Sequence, residues 1–265
     1  MNLKSCNYKM SNPLFSVIPS PPDERDWICD DILHIDELPL EFTVVNLLKP
    51  INQGPHGTCA AHTAACIKEQ QEDIGRFSHH FIYNNRRNQS SSGMYGRDVM
   101  KILHKKGAIP QKDYSCVFES PDDILPEYYE RALNFRIKHY ARVYTINGLK
   151  KSLMTNGCCF IAFPCYNRGT RMWKDDGSEK LGGHAMTVIG WTKDGFIIRN
   201  SWGVRWGNKG NCLYSWDDWG AHYDIWSTID DESYFSDEDL DDDEDNNRGD
   251  QNDAHKRNPM CCVIV

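Results

Sequence analysis

No stretch of this 265-residue chain approaches the ~18 consecutive apolar residues that a membrane-spanning helix needs. The opening segment, MNLKSCNYKMSNPLFSVIPSPP, has no apolar core of the kind a secretory signal carries. A cytoplasmic setting is therefore expected. Metal-ligand spacing is also lacking: Cys158-Cys159 has no second cysteine pair and no HxxxH beside it, and His79, His80 and His104 read as surface residues. Neither a metal nor a cofactor is expected. A basic stripe is missing too, so nucleic acid is not an expected partner. The chain is formally −8, and residues 230–245 hold eleven acids and no lysine or arginine. Setting those eleven aside leaves +3 for the rest, so the acidity is local. The eleven cysteines are scattered and odd in number, which predicts free thiols rather than a disulfide frame.

What is present is enough apolar sequence, 40% of residues, for a sizeable core in one domain or two small lobes. The rest of the chain is organised around Ile51–Ala65, INQGPHGTCAAHTAA. Gly54, Pro55 and Gly57 make a bent approach to Cys59, and a run of helix formers follows it, closing at Gly75. A thiol in the first turn of a helix feels the positive end of the macrodipole, which favours thiolate. Gln53, six residues earlier, can aim an amide N–H at the point served by the Cys59 backbone N–H. His62, three residues past Cys59, is a rival base only if its ring folds back past the first turn, so a packed histidine is expected there. Two later segments supply partners. In LGGHAMTVIGW two glycines precede His184 and a buried strand follows. In GFIIRNSWGVRWGNKG a short strand leads to Asn200, then Trp202. A histidine that takes the thiol proton, and an asparagine that orients the imidazole, are what nucleophilic thiol catalysis needs.

QGxxGxC before a helix, then GHA, then NSWGxxWGxxG resembles the papain-like cysteine protease family, from about Ile18 to Trp219, and in particular its short bacterial-type or viral-type members. The resemblance implies an α+β, two-lobe fold: a helical left lobe, an antiparallel β-barrel-like right lobe and a cleft between them. It implies Cys59 as nucleophile, His184 as general base and acid, Asn200 as orienter, Gln53 as oxyanion donor, Trp202 as shield and Ala185 as part of a substrate pocket. The implied activity is a cysteine-type endopeptidase acting on protein or peptide substrate, without a cofactor, as a monomer. A silent binding protein on the same scaffold, an exopeptidase and a thiol hydrolase of isopeptide or other amide bonds are the alternatives. The chain departs from the family pattern at His56, where a second cysteine is usual, at Ala60, where tryptophan is usual, and at Asn211-Cys212 after the last motif.

Three regions are expected. Residues 1–38 form an N-terminal arm or short pro-like segment, either packed on the body or with its first ~15 residues lying in the cleft as a latch. Residues 39–228 form the catalytic domain, with a loop over 78–92, a helix over Arg97–Lys106, a helix near Asn147–Asn156, and a cleft-side loop over 166–183. Residues 229–265 form an acidic tail too poor in apolar surface to fold. It ends in Cys262-Val-Ile-Val, shaped like a prenylation box, with Cys261 as a second lipid site and weak membrane association as the consequence. Ser236, followed by three acids, is a candidate phosphorylation site.

Overall fold

The computed structural model describes residues 15–230 apart from 34 and 36. Cys261, Cys262, Ser236 and the first fourteen residues lie outside that range. In chain order the elements are β1 (Val17–Ile18), α1 (Cys29–Ile32), β2 (Phe42–Thr43), α2 (Cys59–Glu72), α3 (His79–Asn84), β3 (Met94–Tyr95), α4 (Gly96–Lys105), α5 (Pro126–Ala132), β4 (His139–Arg142), α6 (Ile146–Asn156), β5 (Cys159–Cys165), β6 (Gly182–Thr192), β7 (Gly195–Arg199), β8 (Asn211–Ser215) and β9 (Asp224–Ile229). Helices α2 to α5 make one lobe. The other is a seven-stranded antiparallel sheet in the order β4-β9-β5-β6-β7-β8, with β2 added on β6.

Helix α2 joins the lobes because of what its sequence leaves out. Ala60, Ala61, Ala64 and Ala65 are all buried, and short side chains let the backbone come close to β6, β5, α3 and α4 at once. The helix stops at Asp73, in the left-handed region at φ 50°, two residues before the glycine that the sequence pointed to. Strand β5, CFIAFPC, reads as a continuous apolar run rather than an alternating one because α2, α4 and α6 all pack on it. A second cluster, Phe81, Ile109, Tyr114, Ile124 and Ala132, fills the helical lobe, with Tyr128 and Tyr129 against it.

Two expectations change. The segment 78–92 is not all loop: its first part is α3. Ser78 caps that helix by accepting from the Phe81 N–H, and Phe81, Ile82 and Tyr83 are buried beneath the polar sequence that hid them. His184 does not precede a strand but sits inside β6, opposite Phe163 of β5. The arm is part of the fold. Asp26 receives the Arg97 guanidinium through Nε (2.8 Å) and Nη2 (2.5 Å), with Arg142 Nη1 at 3.5 Å. Asp224 accepts the Ser20 N–H at 2.9 Å, and β1 pairs in parallel with β3. The Asp26 and Arg97 side chains are only 6% and 10% exposed, so these charges meet each other rather than water.

Candidate active site

Cys59 is the first residue of α2. The Thr58 side chain makes no cap hydrogen bond, so the N–H groups of the first turn are not consumed by a side-chain oxygen. β6 brings His184 and β7 ends just before Asn200, so two neighbouring strands hold base and orienter. His184 Nε2 donates to Asn200 Oδ1 at 2.7 Å, and the Ser201 N–H donates to the same oxygen at 2.7 Å. That leaves Nδ1 as the edge turned to the thiol. It is buried and outside hydrogen-bond geometry, as free-enzyme catalytic contacts often are. The Trp202 ring covers the imidazole at 4.8 Å between centroids, tilted by 35°.

Burial by itself would raise the Cys59 thiol. The His184 ring beside it and the charge that ring carries, the Ala185 N–H and the Ser16 hydroxyl together outweigh that and bring it down from 9.0 to about 7. At the other buried cysteines burial outweighs the hydrogen bonds they do have, such as Ser152 Oγ to Cys159 Sγ at 3.1 Å. Burial pushes Cys29, Cys159 and Cys212 up to about 12, and Cys158 well above its ordinary value. The eight described cysteines are all free.

The remaining sequence candidates are placed as follows. Gln53 is 5% exposed; its Nε2 donates to the His56 carbonyl at 2.8 Å and its Oε1 accepts from the Ser201 hydroxyl at 2.6 Å. One amide hydrogen is therefore committed and the other has no partner among the described residues. Ala185 is fully buried beside the thiol, its backbone N–H turned to Cys59. His62 is no rival base: its Nδ1 bonds the Thr58 carbonyl at 2.9 Å and its ring stacks on His79 at 3.8 Å. His79 continues the stack to His80 at 4.0 Å. The expectation that His79 and His80 are surface residues is corrected: both are half-buried, wedged between α2 and the Phe118 ring, and each has a buried Nδ1 without a partner. Two neighbours of the site escaped the sequence reading. Ser16 Oγ lies 3.6 Å from Cys59 Sγ, and the Phe15 ring stands edge-on to His184 (5.8 Å) and Trp202 (5.7 Å). Cys59 and His184 are both fully covered. The Gly182-Gly183 pair was the available signal. A Cβ at Gly183 would sit 2.2 Å from the Val17 carbonyl oxygen, and one at Gly182, at φ +138°, would meet Phe15.

A family model described as papain family cysteine protease matches residues 47–222. A peptidase C1-like protein of Acanthamoeba polyphaga mimivirus is 26% identical over 251 residues, covering 74% of this chain and 79% of that protein. A gut-specific cysteine proteinase of Caenorhabditis elegans is 31% identical over 99 residues, 34% of this chain and 30% of the nematode protein, so that likeness is local. Among solved structures, xylellain, a cysteine protease from Xylella fastidiosa, superposes with a TM-score of 0.69 at 24% identity, over 86% of this chain and 99% of that one. That likeness is one of fold.

Proposed function

The chain belongs to the papain family of cysteine proteases and is a cysteine-type endopeptidase, and from that premise we propose that Cys59 is its nucleophile, held by His184 and Asn200. The observation that carries the assignment is the thiol brought to about 7 beside an imidazole fixed by an asparagine at 2.7 Å, while the other buried thiols for which a value is resolved are pushed the other way. The thiolate attacks the scissile carbonyl carbon. The resulting oxyanion is received by the Cys59 N–H and the uncommitted Gln53 amide hydrogen. His184, charged through the first step, gives its proton to the leaving amine, and a water then cleaves the thioester to release the carboxylic acid. Trp202 keeps the His184–Asn200 bond dry, and Ala185 forms part of the substrate-side wall.

Residues 15–18 belong to the same reading as an inhibitory latch. They run over the track that an extended substrate would need, with Met94 N–H given to the Ser16 carbonyl at 3.2 Å and the side-chain-free Gly182-Gly183 beneath. The Asp26–Arg97 pair and the Ser20–Asp224 bond hold the arm beyond Ser20, so release takes place at or before Pro19. All the groups named lie in one chain, which is consistent with a working monomer. The eight described cysteines are free, the exposed Cys116 included, which fits a reducing compartment. The acidic tail and the two terminal cysteines, Cys261 and Cys262, are carried forward as a solubilising extension with a lipidation site.

Labelling with an epoxysuccinyl probe and peptide mapping tests both parts. The chain lacking residues 1–18 is expected to be modified selectively at Cys59, with a rate that falls as pH drops below about 7, and Cys59→Ala to remove the label. The full chain is expected to react far more slowly. Labelling spread evenly over the exposed thiols of the trimmed chain would overturn the nucleophile. Equal rates for trimmed and full chains would overturn the latch.

A further inference from the structure

Beside Asn200, α2 turns one face toward Arg199 and residues 48–51. They line a partly open cavity of about 30 Å³. One water needs roughly 10–15 Å³ by the same measure, so there is room for about two water-sized bodies. The lining is short of acceptors. Asn200 is 2% exposed; its Oδ1 already accepts from both His184 and Ser201, and its Nδ2 has no partner. The Arg199 guanidinium gives Nη1 to the Leu48 carbonyl and Nε to Asn211 Oδ1, and among the described residues no carboxylate lies within ion-pair distance of it.

The one acid on the wall, Glu69, is spoken for. Its Oε2 receives Arg76 Nη1 at 2.7 Å and its Oε1 the Phe77 N–H at 3.3 Å. With Lys49, Arg76 and Arg199 set against Glu69, the lining carries a formal charge of plus two. The Arg199 charge is offset in part by Glu69, and the buried Asn200 Nδ2 donor has no partner, so the lining stays net positive and a counter-charge in this partly desolvated space is held more strongly than in water.

We propose that this cavity binds one small monovalent anion of chloride size, taken between the Arg199 guanidinium and Asn200 Nδ2, with the Thr63 hydroxyl on the same wall. An anion there draws on the free end of the asparagine amide. The other end is thereby fixed toward His184, and the ion acts as a positioning ligand for the base.

The test uses the full chain and no substrate, so it is independent of whether Cys59 is the nucleophile. Thermal unfolding is followed while chloride replaces gluconate at constant ionic strength. In parallel, crystals soaked in bromide are examined for anomalous scattering. Saturable, chloride-specific stabilisation by roughly 2–4 °C, absent in Arg199→Gln, together with a bromide peak in the cavity, is the expected result. A bromide peak without chloride-specific stabilisation marks an adventitious ion only and overturns the proposal. So do superimposable chloride and gluconate curves, or a cavity that holds only water. Should Arg199→Gln fail to fold, the titration and bromide map of the unaltered chain decide by themselves.

Discussion

Ser201 decides which end of Gln53 faces the thiol. Its hydroxyl donates to Gln53 Oε1 at 2.6 Å, so the amide nitrogen must point toward the His56–Cys59 loop, where one hydrogen is taken by the His56 carbonyl. The same residue's N–H holds Asn200 Oδ1, so one serine steadies both sides of the site. The consequence belongs to single groups. In the chain lacking residues 1–18, Gln53→Ala is expected to lower kcat by roughly 10²–10³, with KM much less affected. Steady-state kinetics on a peptide substrate checks this, and probe labelling confirms that the thiol remains reactive.

At the scale of elements, the packing of α2 on α3 is unusual in its chemistry. It is made of stacked imidazoles, His62 on His79 on His80, closed by Phe118 in a left-handed conformation at φ 56°. Burial is the leading influence on all three, with like charge from neighbouring histidines adding to it: His80, His184 and His56 act on His62, His62 and His80 act on His79, and His56 acts on His80. His62 is brought from 6.5 to about 4 against the opposing hydrogen bond that its ring donates to the Thr58 carbonyl, and the other two are also lowered. An unfolded histidine takes up its proton near pH 6.5. Between there and about 4 the unfolded chain therefore binds more protons than the folded one. Stability that is fully present above pH 6.5 is lost as pH falls toward 4, on the order of 3 kcal/mol from His62 alone. His79→Phe keeps a ring in the stack and removes a titrating group. Its melting temperature should fall less steeply than that of the unaltered chain between pH 6.5 and 4, as thermal denaturation at a series of pH values would read.

At the scale of the whole molecule, residues 15–26 tie distant elements together and pass beside Cys59 and His184. The Asp26, Arg97, Arg142 and Asp224 network spans the first residues described, α4, β4 and β9, so removing one charge leaves its partners buried without compensation. Asp26→Asn is expected to cost about 3–5 kcal/mol in urea unfolding. Loosening this tie should also let Phe15 and Ser16 lift from the site, so probe labelling of Cys59 in the otherwise full-length variant should become faster. Unchanged labelling in a destabilised Asp26→Asn chain would show that Phe15 and Ser16 are held by β1 and the Phe15 ring contacts alone.

The sequence by itself determined the parts whose physics is local. The bent glycine approach, the start of α2 at Cys59 and the strand that delivers Asn200 are set by turn chemistry, small side chains and apolar runs acting within a few residues. The three motifs carried the resemblance to the papain-like family, and it is that resemblance which implied the α+β, two-lobe fold. Tertiary structure decided what depends on residues far apart in the chain. His79 and His80 look like surface histidines until α3 is laid against α2. α3 itself is hidden in a polar stretch because its helical state is stabilised by burying Phe81, Ile82 and Tyr83 rather than by propensity. Arg97 and Asp26 are seventy-one residues apart, and nothing in their local sequence says that they meet. Phe15 and Ser16 carry no catalytic signature at all. They lie on Cys59 and His184 because β1 pairs with β3 and because Gly182-Gly183 leaves room for a passing backbone, and strand pairing and close approach exist only once the chain has folded.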